Sequence, residues 1–298
     1  MRQTSIIILT ALLAVQCAYS QNFSDSADPL PSYGKMNAGN YLNWLGKNFG
    51  YQANVPFHAK HIWQRKPSAA LLAGVTCLFM SDRAMNHNFN EVKQNYRAVG
   101  KTSPVITTLG SFQGMMLVSA LGVYGSVTHN KQLTTTVLLS SQACITSGVW
   151  AMLIKNIAGR TRPAEYNHWT GPGGIFEHQK DIRRNYECNS FPSGHTTTAF
   201  AIATVFAKRY QNIRVVPIAA YTLATLTGLS RMTENRHWAS DVVAGGLLGY
   251  FCGNAVVQNY KRLTGQSSSG TKPGWTRNVS VSPEITTNSK GILVHYLF

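Results

Sequence analysis

Uncharged, largely apolar stretches recur along the chain at 67–81, 102–130, 132–154, 196–207, 215–230 and 242–260. Each is too long and too poor in turn residues to be a strand, so the pattern predicts an all-α fold, a helical bundle of about six apolar helices. In the last stretch Gly245, Gly249 and Gly253 recur every four residues, which leaves a stripe without side chains where another helix can approach closely. Only 102–130, 132–154 and 242–260 reach the roughly 18–20 residues that a bilayer crossing needs. The second is diluted by Thr134, Thr135, Thr136, Ser140, Ser141 and Gln142. The lengths therefore favour an exported bundle, periplasmic or membrane-associated, with an integral membrane protein as the alternative.

The two ends of the chain read differently. Arg2 precedes an apolar run from Ile6 to Cys17, and Ala18-Tyr19-Ser20 supplies small residues before Gln21, the pattern of a secretory signal peptide over 1–20. Residues 21–66 form an N-terminal leader, rich at first in Ser, Asp and Pro, that passes into a helical region; the bundle occupies 67–263. Residues 264–298 are a linker and C-terminal tail, in which Val279 and Val281 alternate with serines, and Ile292, Val294, Tyr296 and Phe298 follow Asn288-Ser289-Lys290-Gly291. That alternation predicts a short β-hairpin.

Composition narrows the partner. Charged residues make up only 13% of the 298 residues, and 27 Lys+Arg stand against 11 Asp+Glu for a net charge of +16. An anionic partner follows: nucleic acid, a phosphorylated ligand or acidic lipid. Cys77, Cys144, Cys188 and Cys252 remain beyond the signal, three of them inside apolar segments with no spacing pattern, which reads as buried thiols.

Three clusters choose among the anions. Lys155 and Arg162-Pro163 end an apolar helix, and cations seven apart share a helical face, so both can point at one anion before the proline stops the helix. Pro192-Ser193-Gly194-His195 opens the next helix, whose N-terminus offers free N–H groups. Ser193 can cap or donate there, and Gly194 lets an oxyanion approach the backbone. Ser230-Arg231 precedes His237 and Asp241, spaced i, i+4, which on a helix lets the carboxylate hold one imidazole nitrogen and leave the other free as base, metal ligand or nucleophile. The ordinary reading of each cluster alone is a helix cap or a dipole-facing cation.

Taken together, the eleven specified residues resemble, over about 67–261, the three-part signature of the type-2 phosphatidic acid phosphatase and vanadium haloperoxidase superfamily. The resemblance implies a helical bundle with phosphate held by Lys155, Arg162, Ser193, Gly194 and Arg231. It also implies a nucleophilic His237 supported by Asp241, and His195 as general acid. The expected enzyme is a phosphatase that hydrolyses phosphate monoesters or diphosphates of lipids through a phosphohistidine. Phosphatidate, phosphatidylglycerol phosphate, a polyprenyl diphosphate and lipid A are the candidate substrates. The expected partners are that phosphorylated lipid or another phosphate ester and an anionic membrane surface, not nucleic acid. No cofactor and no metal are called for, since in-line phosphoryl transfer needs cations, N–H donors and a proton, all of which these residue types supply. A broad-specificity exported acid phosphatase, a vanadium haloperoxidase and a non-catalytic phospholipid-binding protein are the alternatives.

Other fragments lose to this reading. Gly100-Lys101-Thr102 ends like a phosphate-binding loop, but Asn95 stands where its first glycine belongs. His58 and His61 share a helical face without further ligands, and Gly171-Pro172-Gly173-Gly174 reads as a loop over the site. Trp150, Trp169 and Trp238 lie near the clusters in sequence, as suits residues at a lipid–water boundary.

Overall fold

The computed structural model describes residues 38–58, 67–165, 189–264, 279–286 and 289–296. The chain divides into two compact units, Met1–Tyr260 and Lys261–Phe298. The helices are α1 (Ala38–His58), α2 (Pro67–Asn95), α3 (Arg97–Thr107), α4 (Phe112–Val127), α5 (Lys131–Ala158), α6 (Gly194–Arg209), α7 (Val215–Thr233) and α8 (Ala239–Leu263), the last running across the boundary between the units. In the second unit β1 (Val279–Thr286) pairs antiparallel with β2 (Ser289–Tyr296), Val279 opposite Tyr296 and Thr286 opposite Ser289. The signal peptide, Cys188, Trp169, His61 and the 171–174 loop lie outside the described residues.

Eight α-helices among the described residues replace the six expected. Ala38–His58 adds one, and the uncharged stretch 102–130 is broken. A 3₁₀ turn at Thr108–Gly110 ends α3, Ser111 caps α4 with its side chain accepting from Gln113 N, and the two arms meet at 54°. The helix expected to reach Arg162 ends sooner. Gly159 takes the left-handed conformation at φ 50° and its N–H returns to Lys155 O, so α5 stops at Ala158 before Pro163 can act.

α6 lies at the centre of the first unit. Its Ala201 and Val205 pack with Leu139 and Ala143 of α5 and Val256, Val257 and Tyr260 of α8, while Ala199 and Ala203 meet Ala224 of α7. The expected glycine stripe is there and faces α6: a Cβ at Gly245 would lie 2.6 Å from Ser193 O, and one at Gly253 would lie 2.7 Å from Ala201 O.

Among the described residues two helices, α5 and α8, are long and apolar enough to cross a membrane, or three spans if the bent α3–α4 pair counts as one. The hydroxyls and amide expected to weaken α5 as a span point inward. Thr136, Ser140 and Gln142 are fully buried, and Gln142 joins a polar seam with α1 and α8. In that seam Asn48 Nδ2 donates to Gln142 Oε1 at 2.9 Å, Asn259 Nδ2 to Asn48 Oδ1 at 2.7 Å, and Gln52 Nε2 to Thr146 Oγ1 at 3.0 Å. Cys144 and Cys252 are buried as expected, whereas Cys77 is exposed.

Candidate active site

Chain direction brings the three clusters to one end. α5 and α7 arrive there with Lys155 and Arg231, and α6 and α8 depart from it. Ser193 N donates to Asp241 O at 3.0 Å and ties the two departing helices together. At the opposite end Gln132 Nε2 donates to Arg209 O at 3.0 Å.

Lys155 and Arg162 meet on one residue rather than on one helical face. Lys155 Nζ donates to Asn189 O at 2.5 Å, and Arg162 donates to Asn189 Oδ1 through Nη2 at 2.6 Å and Nε at 3.2 Å. Asn189 thus clamps the two cations although Arg162 has left the helix.

Ser193 stands at the N-cap of α6, fully buried, but its side chain makes no cap bond to the helix backbone; its Oγ accepts from Thr196 Oγ1 at 2.9 Å. Among the described residues, leaving aside its chain neighbours and its own helix backbone, Gly194 has no atom within 4 Å of where a Cβ would stand, which leaves room there for an oxyanion to approach the first turn of α6. Arg231, 6% exposed, gives Nη1 to Glu234 Oε2 at 2.5 Å, while its Nε is buried with no hydrogen-bond partner among the described residues. An orphaned guanidinium N–H of this kind costs about 1–3 kcal/mol until an acceptor reaches it, and a phosphoryl oxygen is such an acceptor.

His237 and Asp241 do not share a helix, because α8 begins at Ala239. Asp241 is in its first turn and reaches back, Oδ2 accepting from Trp238 N at 3.0 Å in the manner of a capping box. His237 Nδ1 stands 3.7 Å from Asp241 Oδ2, and Ser190 Oγ closes a triangle with them, donating to Asp241 Oδ2 at 2.5 Å and standing 3.4 Å from His237 Nδ1. The Nδ1 edge is thereby turned to Asp241 and Nε2 is the nitrogen left for chemistry.

Both imidazoles are held neutral. Burial pushes the His237 pKa down to about 4, against the raising influence of Asp241 and helped by Lys155 and Arg231. His195 falls to about 3, through burial first and then the charges of Arg231, His237, Arg162 and Lys155. The same cations that depress these histidines would stabilise phosphate, and a bound dianion would draw a proton back onto His195.

A buried ionic network beneath the site did not emerge from the sequence reading. Arg160, 1% exposed, pairs through Nη2 with Asp82 Oδ2 at 2.6 Å and through Nη1 with Asp241 Oδ1 at 2.5 Å. Its Nη1 also donates to Ser240 Oγ at 2.6 Å, and Ser240 N donates to Asp82 Oδ1 at 2.9 Å. The guanidinium lies 4.9 Å from the Phe79 ring centroid and 5.4 Å from that of Trp238. Asp82 follows an apolar stretch in the sequence, and no local signal there points to its burial. Trp238 is core and not boundary: it is 4% exposed and its Nε1 donates to Thr161 O at 2.9 Å. Trp150 donates from Nε1 to Gln52 Oε1 at 2.9 Å. Among the described residues no group of three or more His, Cys, Asp and Glu is arranged to hold a metal ion.

Residues 133–264, which hold all three clusters, match the PAP2 superfamily. A Porphyromonas gingivalis protein named lipid A 1-phosphatase is 52% identical over 66 residues, covering 22% of this chain and 15% of its own length. One of the same name from Rhizobium etli is 35% identical over 103 residues, covering 35% of this chain and 41% of its own length. The chain thus matches less than half of either relative. The crystal structure of Aquifex aeolicus LpxE superposes with a TM-score of 0.45 at 21% identity, covering 59% of this chain and 94% of that one.

Proposed function

Since the chain belongs to the PAP2 superfamily through residues 133–264, we propose that it is a membrane-embedded lipid phosphatase acting through a phosphohistidine at His237. The observation that carries the reading is the convergence of Lys155, Arg162 and Arg231, one with an orphaned buried N–H, on two neutral histidines at the open first turn of α6.

The chemistry follows from those groups. His237 Nε2 attacks phosphorus in line, forming the P–N bond as the ester P–O bond breaks. The three cations, the Ser193 hydroxyl and the N–H groups opening α6 take the charge on the equatorial oxygens. His195, protonated once the dianion is beside it, gives its proton to the leaving alkoxide. It then accepts a proton from the water that attacks the phosphohistidine and releases orthophosphate. Asp241 stabilises the imidazolium that forms on His237. None of these steps calls on a metal.

The membrane reading is supported by apolar side chains left exposed along the helices, among them Leu117 at 56%, Ile157 at 69%, Ile218 at 68% and Leu247 at 54%. Water does not favour such a belt and lipid does. Lipid A leads the candidate substrates, ahead of phosphatidate, phosphatidylglycerol phosphate and polyprenyl diphosphates, because three relatives are named lipid A 1-phosphatase. Export by the 1–20 signal would place the site outside the cytoplasm. Phosphate release by purified protein from lipid A and the other lipid phosphates in mixed micelles tests the proposal. Equal efficiency on p-nitrophenyl phosphate and every lipid would replace it with the broad acid-phosphatase reading. No release from any ester would end it.

A further inference from the structure

A carboxylate beside a phosphate-binding cation is at first sight a handicap, since it competes for the guanidinium and repels the substrate. Glu234 is such a group: it follows α7 by one residue and takes Arg231 Nη1 on Oε2 at 2.5 Å. Its other oxygen is also engaged. Oε1 accepts from Thr107 Oγ1 at 2.6 Å, and the Thr107 hydroxyl is itself 2.7 Å from Ser230 Oγ. One turn earlier on α3, Ser103 Oγ meets Thr233 Oγ1 at 2.7 Å. The end of α3 is therefore stitched to the last turn of α7 by three side-chain contacts, and Glu234 has no oxygen free to swing on. Arg231 is gripped at Nη1 while its Nε stays buried and unpartnered.

We propose that Glu234, fastened by Thr107, is a positioning residue that sets the plane of the Arg231 guanidinium so that its remaining N–H groups face the phosphoryl oxygens. The inference rests on the phosphatase reading and adds a component that the three-cluster signature does not specify. A guanidinium is a planar fork, and its value to a phosphoryl group depends on alignment as much as on charge. An arginine held at one edge is already aligned when substrate arrives, whereas a loose one must be ordered at each turnover.

The test compares Glu234→Ala, Glu234→Gln and Thr107→Val in the full chain in detergent, with turnover on phosphatidate micelles and vanadate inhibition as readouts. Glu234→Ala is expected to lower kcat about tenfold or more and to weaken vanadate inhibition by a similar factor, with KM within about threefold. Glu234→Gln keeps an acceptor for Arg231 and a partner for Thr107, and is expected to recover to within about threefold of wild type; Thr107→Val should fall between. In an Arg231→Ala background Glu234→Ala should change vanadate affinity by less than about twofold, because its effect passes through the arginine. Additive losses in that double variant, or a Glu234→Ala protein that melts lower while kcat and vanadate affinity hold, would overturn the inference. If the wild type releases no phosphate from lipid A, phosphatidate or any other ester tested, the phosphatase reading fails. Vanadate affinity, read by ⁵¹V resonance, still decides whether Glu234 orients Arg231.

Discussion

Replacing Arg160 by methionine keeps the length and apolar contacts of the side chain against Phe79 and Trp238 but removes the charge that bridges Asp82 and Asp241, at 2.6 and 2.5 Å. Both carboxylates are buried to 1% or less, so water cannot take the place of the guanidinium. Removing one partner of a buried ion pair costs about 3–5 kcal/mol. At roughly 2–4 °C per kcal/mol for a domain of this size, Arg160→Met should melt about 6–20 °C lower. Asp241 loses an anchor at the same time, so turnover per folded molecule should fall as well. Adding Asp82→Asn removes one of the two stranded charges and should return part of the lost stability while leaving turnover low, since Asp241 Oδ1 still lacks the guanidinium. Thermal unfolding in detergent followed by tryptophan fluorescence, beside phosphate release, measures both. A shift below about 3 °C, or no recovery on adding Asp82→Asn, would refute the idea that this triad holds the site from below.

His237→Ala should lower turnover by at least about a thousandfold and abolish acid-labile labelling of the protein by ³²P substrate; retention of either contradicts the covalent step. The two histidines also predict a pH dependence of stability. In the unfolded chain they titrate near 6.5, and in the folded one near 3 and 4. Between those values the unfolded state binds protons that the folded state refuses, so stability is full above about pH 6.5 and falls on acidification. Urea midpoints at pH 7, 6 and 5 should decrease in that order, with the slope flattened in His237→Asn; a midpoint that rises with acid is the contrary result. Activity should survive excess chelator, because Lys155, Arg162 and Arg231 supply the charge that Mg²⁺ supplies elsewhere; loss restored by a divalent ion would contradict this. Hydrolysis of a lipid phosphate in anionic vesicles should weaken as salt is added, and indifference to salt would argue against a basic face meeting the bilayer.

The parts of the site that were legible are those whose chemistry constrains residue type at short range. Lys155, Arg162, Ser193, Gly194, His195, Arg231, His237 and Asp241 suggest a phosphate site by kind and spacing, and the helices bring them to one end of the first unit. The glycines of α8 announce a close helix neighbour in the same way. Local geometry was harder to read, because a four-residue interval does not say whether a helix fills it. His237 precedes α8, and Arg162 follows α5, so both pairings arise from loop closure onto Ser190 and Asn189. The Arg160 network was not legible at all. Its partners are 78 and 81 residues away in the chain, and nothing local marks Asp82 as buried. The polar side chains of α5 misled for a related reason: composition counts a hydroxyl the same whether it faces lipid or, as Thr136 does, the helix's own Gln132 carbonyl at 2.7 Å.

The first turn of α6 meets neighbouring segments at glycines, where side-chain atoms are missing. A methyl group added at Gly110 would lie 2.5 Å from the carbonyl oxygen of His195 and one at Gly245 2.6 Å from that of Ser193, while at Gly228 it would stand 2.8 Å from Val242 Cγ1 and 3.3 Å from Thr196 Cγ2. Side chains are springs with several rest positions, but backbone resting on backbone has one. The segment that presents Ser193, Gly194 and His195 is therefore indexed as a rigid part is seated in a fixture, with no compliant layer to absorb error. If the proposed phosphatase reading holds, residues on the outward faces of α4, α7 and α8 could change in size and shape while these glycine contacts keep Ser193, Gly194 and His195 in place. Surface variation and the placing of that segment would then be mechanically separate.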